Sequence, residues 1–191
     1  GDLESYFTNA YRRLFLTELP ESLNRLDDDA SPEAVADAAV TYQMIVEGVL
    51  AETGYEAYYS VLEAHDILPG MQQFIRNVQR DEARHVAYGV YLLSRLVAEH
   101  GEPIWTVIED RMNELIRLAI EHIQATLAPY DPIPFGLTAD QFVEHGMSQF
   151  QKRIQRIERA RTQSLEDVLT GGGNGGGRRP SGTAPVSLPS S

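Results

Sequence analysis

The chain has no cysteine, so neither a disulfide framework nor a thiolate metal site is open to it. That composition fits a reducing compartment, and the cytoplasm is the expected location. Positive charge is scarce. Lys152 is the only lysine, and 16 basic residues stand against 28 acidic ones for a net charge of −12. Such a surface repels a phosphate backbone, which excludes nucleic acid as a partner. No apolar run reads as long enough to span a bilayer. The opening residues Gly1-Asp2-Leu3-Glu4 have no signal-peptide character. No stretch carries a strand pattern as strong as the helical ones, which leaves the all-α class.

What is present is helical periodicity. With 191 residues, 42% of them hydrophobic, the chain has material for one domain with a core. Leu3, Tyr6, Phe7, Tyr11, Leu14 and Phe15 recur at helical spacing, which predicts a helix over 3–19 ended by Pro20. A short turn of helix from Glu21 to Leu26 follows, and Asp27-Asp28-Asp29 reads as a solvated loop. Ser31-Pro32 pairs a cap residue with proline at the first helical position and starts a long helix that runs to about Ala64. Leu68-Pro69-Gly70 is a break, and a second long helix is expected over 71–99. A third starts near Pro103 with the apolar stripe Ile104, Ile108, Met112, Leu115, Ile116 and Ala119, continued by Ile123 and Leu127. Three prolines make 129–135 an extended connector. Thr138-x-x-Gln141 then has the form of a capping box opening a last helix. The helical domain is expected to cover 1–168, and the Gly/Ser/Pro-rich remainder, 169–191, to be a disordered tail.

Chemistry enters with Glu82-Ala-Arg-His85. Residues three apart share a helix face, so both side chains can reach one metal ion. A lone motif of this length arises readily by chance, and a buried Glu-His or Glu-Arg pair explains it equally well. Burial sharpens it. The same face carries Phe74, Ile75, Val78, Val86, Gly89 and Leu93, where an unpaired carboxylate loses several kcal/mol of solvation or becomes protonated (about that order). The preceding helix repeats the anomaly: Glu47 shares its stripe with Val40, Met44, Ala51 and Gly54, small residues that leave room for an ion or a ligand. Two acids on two successive buried stripes favour a metal site over two isolated ion pairs. Glu47, Glu82 and His85 are the candidate metal ligands.

This is half of a known ligand arrangement. In ferritin-like dinuclear carboxylate proteins two helices give one Glu each, and two others give a Glu-x-x-His pair each. The longer motifs Tyr42…Glu47-Gly-Val-Leu-Ala-Glu-Thr-Gly-Tyr55 and Arg80-Asp-Glu-Ala-Arg-His85-Val-Ala-Tyr-Gly89 resemble those of the ribonucleotide-reductase-small-subunit-like ligand-binding oxidases, over roughly residues 3–165. The resemblance implies a ferritin-like helical bundle, a manganese–iron or di-iron centre, dioxygen activation, and a bound long-chain fatty acid at the metals. It implies that Tyr42 matches a tyrosine that becomes joined to a valine by an ether bond. Asp81, next to Glu82, matches an acid that orients a metal-bound histidine of the other half, although a surface salt bridge with Arg80 or Arg84 accounts for it as well. Spacing would not have chosen Tyr42, which lies five residues before Glu47, about 140° round an ideal helix. Tyr55, two turns after Glu47, is placed to hydrogen-bond near the site or to pack in the core.

A complete site needs a second lone Glu and a second Glu-x-x-His, and no other Glu-x-x-His occurs in the sequence. The chain is therefore expected to be the C-terminal portion of such an oxidase, lacking the upstream ligand-bearing helices. A homodimer about a two-fold axis would alternatively bring together six ligands. Two other functions stay in play: a radical-generating small subunit of ribonucleotide reductase, and a ferritin-like metal-binding or purely structural helical module.

Overall fold

The computed structural model describes Glu4 and residues 7–171. Leu3 and Tyr6, expected in the first helix, and 172–191 of the expected tail lie outside the described residues. Among those described there is no strand, and the all-α expectation holds. The helices are α1 (Asn9–Arg13), α2 (Leu19–Asn24), α3 (Pro32–Ala39), α4 (Glu52–Ala64), α5 (Pro69–His100), α6 (Glu102–Leu127), α7 (Ala139–Arg159) and α8 (Leu165–Thr170). α8 crosses the boundary expected at 168.

Two π-helical segments, with hydrogen bonds reaching five residues back, join these helices into longer rods. Leu14–Glu18 joins α1 to α2, and Val40–Ala51 joins α3 to α4. The first overturns the expectation that Pro20 stops the opening helix. The Leu19 N–H reaches back to the Leu14 carbonyl across the widened turn. Pro20 then sits in the first turn of α2, where a missing N–H is tolerated. The second segment lies in the middle of a continuous helix, Pro32–Ala64. By length and composition alone that helix could cross a membrane, but 61% of its most apolar window is buried inside the bundle. Its apolarity is that of a core helix.

The starts and stops follow local chemistry. Ser31 Oγ accepts from the Ala34 N–H at 3.2 Å, capping α3 ahead of Pro32. Thr138 and Gln141 exchange both bonds of a capping box at the start of α7. Between α4 and α5 the chain turns through Asp66 and Leu68, both with positive φ. Gln72 closes this turn, donating from Nε2 to the carbonyls of Leu62 and Ile67 at 3.1 Å each. Those bonds tie a carbonyl near the end of α4 and one of the turn to the first turns of α5, and so fix where α5 starts its run past the π segment.

α5, α6 and α7 all pack on Val40–Ala51, which puts the segment at the centre of the molecule. The core joins Val40, Met44, Ile45 and Val49 to Leu93 and Val97 of α5, to Ile108, Met112 and Leu115 of α6, and to Phe150 and Ile157 of α7. Each such side chain contributes about 1.5–3 kcal/mol on burial. Gly89 permits the closest approach: a Cβ there would lie 2.6 Å from Gln43 Cβ and 2.9 Å from Met44 Cε. At the opposite side sits a buried charge network that the sequence did not disclose. Glu18, within the first π segment, pairs with Arg111 of α6 at 2.7 Å and with Arg13 at 2.5 Å. Arg111 also reaches Asp37 at 2.6 Å and Glu114 at 3.0 Å.

Candidate metal centre

Glu47 projects from the π segment, and Glu82 and His85 from α5. Their ligand atoms all lie within 4.8 Å of one another. His85 Nδ1 is 3.2 Å from Glu82 Oε2 and 3.4 Å from Glu47 Oε1. The close contact at Gly89, one turn further along α5, holds the two helices at the separation this needs. Glu47 is buried, with 5% exposure, and its Oε2 has no hydrogen-bond partner. A buried polar atom left unpaired costs on the order of 1–3 kcal/mol, more when charged.

Burial is the main reason that the Glu47 carboxyl titrates above the ordinary range. A hydrogen bond from Tyr42 opposes it, the nearby Glu82 charge adds to it, and His85 opposes it. Tyr42 is likewise pushed up, first by that hydrogen bond to Glu47, then by desolvation and by the charges of Glu47 and Glu82. Tyr55 is raised by desolvation and by the charges of Glu82 and Glu47, which places its phenol in the field of the same cluster. Two carboxylates, one of them with a buried unpaired oxygen, and one imidazole form an O,O,N donor set suited to Mn(II), Fe(II) or another divalent cation.

The Tyr42–Glu47 contact is what ideal α-helical geometry could not foresee. In a π segment positions five apart sit nearly over one another, so the 140° separation does not apply.

One expectation needs correction. The face of α5 that carries Glu82 and His85 is not uniformly buried: Ile75, Val86, Gly89 and Leu93 are buried, but Phe74 is 60% exposed and the His85 side chain 57%. Periodicity identifies the apolar face of a helix without saying whether anything covers it. Phe74, Asp81, His85 and Tyr88 form an exposed stripe that no described helix covers. Asp81 stays outside the cluster and pairs with Arg84 at 3.2 Å on the surface.

The family model described as "Ribonucleotide reductase, small chain" matches residues 11–154. The chain belongs to that family. Among solved structures, this member of the ribonucleotide reductase small-chain family is similar to the R2-like ligand-binding oxidase from Sulfolobus acidocaldarius, at 34% identity and a TM-score of 0.74, over 85% of this chain and 54% of that one. It is similar to an R2-like ligand-binding oxidase variant with an anaerobically reconstituted Mn/Fe cofactor, at 35% identity and a TM-score of 0.75, over 83% and 56%. A variant with an aerobically reconstituted Mn/Fe cofactor gives 33% identity and a TM-score of 0.77, over 83% and 58%. The chain thus spans a little over half the length of these structures, and the fold is the ferritin-like helical one that they share.

Proposed function

We propose that this chain contributes one half of a dinuclear carboxylate centre, with Glu47, Glu82 and His85 as its ligands, in an oxidase of the ligand-binding type. The observation that carries the reading is the convergence of those three donor groups, one of them a buried carboxylate whose second oxygen lacks a partner. The matched structures quoted above carry the oxidase name, which favours this over a radical-generating reductase subunit.

When bound, a manganese–iron or di-iron pair supplies the electrons that reduce dioxygen. The protein's own residues orient and insulate. Glu47 offers a carboxylate shielded from water, and Glu82 and His85 close on it from the neighbouring helix. Tyr42 has its phenol raised in pKa chiefly by Glu47 and remains 40% exposed. That exposure suits it as the tyrosine that forms an ether bond with a valine from outside the described residues. The bond would remove the phenol hydrogen and one valine hydrogen, with two electrons passing to dioxygen. Tyr55 would hydrogen-bond beside the ligands, and Asp81 would orient a histidine of the complementary half.

Room for a long-chain fatty acid is supported beside Gly54, where an added Cβ would meet nothing within 4 Å. The complementary Glu and Glu-x-x-His would come from further protein docked on the exposed stripe, either more of the same polypeptide or a second copy about a two-fold axis. A cytoplasmic setting belongs to the same proposal.

Anaerobic loading with Mn(II) and Fe(II), followed by elemental analysis, tests the site. Metal should bind and be lost in Glu82→Ala with the helical circular dichroism unchanged. Absence of saturable metal binding with Mn(II) or Fe(II) at millimolar concentration would refute the ligand assignment. In a metal-loaded, air-exposed protein that also carries the complementary half, peptide mass spectrometry at Tyr42 then tests the oxidase reading, and an unmodified Tyr42 there counts against it.

A further inference from the structure

The return from π to α register leaves a carbonyl without its helical partner. At the end of Val40–Ala51 the Glu52 N–H bonds to the carbonyl of Glu47, five back, with a second contact to Val49. It passes over Gly48, the residue four back that an α-helix would use. Arg153, reaching in from α7, donates to that Gly48 carbonyl, and its second nitrogen pairs with the Glu52 carboxylate. One guanidinium therefore engages both the carbonyl passed over and the residue that passes over it.

The surroundings are built for this contact. The Arg153 side chain is only 11% exposed. Gly48 has to lack a side chain, because a Cβ would stand 2.9 Å from Arg153 Nη1 and 2.8 Å from the Gln43 carbonyl. The Gln43 carbonyl, five residues back, is itself a mark of the wide register. Gly48 is also next to Glu47, so whatever decides the register here decides where Glu47 points and whether Tyr42 lies over it.

We infer that Arg153 is a positioning residue for the metal centre: by occupying the Gly48 carbonyl and holding Glu52, it keeps Val40–Ala51 in π register and so keeps Tyr42 against Glu47. Without the guanidinium, the Glu52 N–H satisfies the Gly48 carbonyl itself, and the end of the segment tightens by one hydrogen-bond step. Tyr42 and Glu47 then rotate apart toward the α-helical separation. The register claim stands on hydrogen bonding alone, and its consequence for metal rests on the ligand assignment proposed above.

Through-hydrogen-bond NMR couplings distinguish the registers directly, since they name the carbonyl that each amide uses. In the full chain the Glu52 amide should couple to the Glu47 carbonyl. In Arg153→Met the coupling should move to Gly48, and Mn(II) affinity should fall roughly tenfold or more, the usual effect of losing a group that supports a ligand. Arg161→Met, which removes a more exposed arginine–glutamate pair with Glu102 away from the segment, should change neither. A folded Arg153→Met variant that keeps the coupling to Glu47 would overturn the inference. An altered register with unchanged Mn(II) affinity would overturn its link to the centre, and a moved register in a chain that binds no metal would instead overturn the ligand assignment. Should Arg153→Met not fold, Glu52→Gln removes the charge that aims the guanidinium. Amide exchange at 52 and 53 should then quicken at least tenfold, and unchanged exchange would again overturn it.

Discussion

Two glycines give the same substitution opposite outcomes. Gly89 and Gly54 both lie inside helices, where replacing glycine by alanine lowers the entropy lost on folding and contributes about 0.5–1 kcal/mol. For Gly54→Ala that gain stands alone, because the new Cβ meets nothing within 4 Å. For Gly89→Ala the new Cβ lies 2.6 Å from Gln43 Cβ and 3.2 Å from Gln43 Cγ, where carbon atoms prefer about 3.5–4.0 Å. Met44 Cε, at 2.9 Å, is the end of a flexible chain and can swing away. Gln43 Cβ is rooted in the backbone and cannot, so α5 and the π segment must separate by about 1 Å. Overpacking of this kind costs about 1–3 kcal/mol. The net is a loss of about 1 kcal/mol for Gly89→Ala, and a gap of about 2 kcal/mol between the variants. For a domain of this size that is a difference of roughly 4–8 °C in Tm. Urea denaturation and thermal melts measure it, and Mn(II) titration should show weaker binding for Gly89→Ala, since the same separation draws Glu82 and His85 away from Glu47. If Gly89→Ala is as stabilising as Gly54→Ala, the close approach of α5 does not hold the site together.

Further expectations follow from other parts of the molecule. Arg111→Met leaves Glu18 and Asp37 facing each other in a largely buried setting and should cost about 3–5 kcal/mol in chemical denaturation, whereas a loss under about 1 kcal/mol would mean that water already solvates the network. His122 lies half-buried beside Tyr11 and Phe15, and burial lowers its pKa below the ordinary value of 6.5. The unfolded chain therefore takes up the proton more readily: stability is full above pH 6.5 and falls as pH drops through it. The fall in urea midpoint from pH 7.5 to about 5.5 should be smaller in His122→Gln; equal falls would remove His122 as the cause. Sedimentation with and without Mn(II) separates the two sources of the missing ligands. A Mn(II)-dependent dimer holding two ions supports a second copy, and a monomer that binds Mn(II) refutes it.

The caps, the break at Leu68-Pro69-Gly70 and the buried stripe of α6 were legible because each depends on residues a few positions apart. The spacing that puts Glu82 and His85 on one helix face is local too, and the fold brings Glu47 to them. What escaped notice has one of two causes. The π segments at Leu14–Glu18 and Val40–Ala51 break the 3.6-residue period of a helical pattern, so in sequence Pro20 reads as a stop and Tyr42 falls far from Glu47. Glu18–Arg111 and Gly48–Arg153 join residues some hundred positions apart, and no local pattern announces such a partner. The exposure of His85 and Phe74 belongs with the second cause, because cover is supplied by another element or not at all.

The π segment also has a consequence at the level of the gene. A wide stretch is a phase shift in an otherwise regular rod, and losing a single codon is enough to cancel it. Deleting one residue between 43 and 51 would let the helix run at an even 3.6 period, with the flanking turns kept in phase and the residues inside the segment turned toward their α-helical directions. Glu47, Glu82 and His85 would all remain encoded, but Glu47 would be aimed away from the other two. In this chain the centre can therefore be lost by a change of phase as well as by a change of ligand, and a reading that checks only for the ligands would still count it as present.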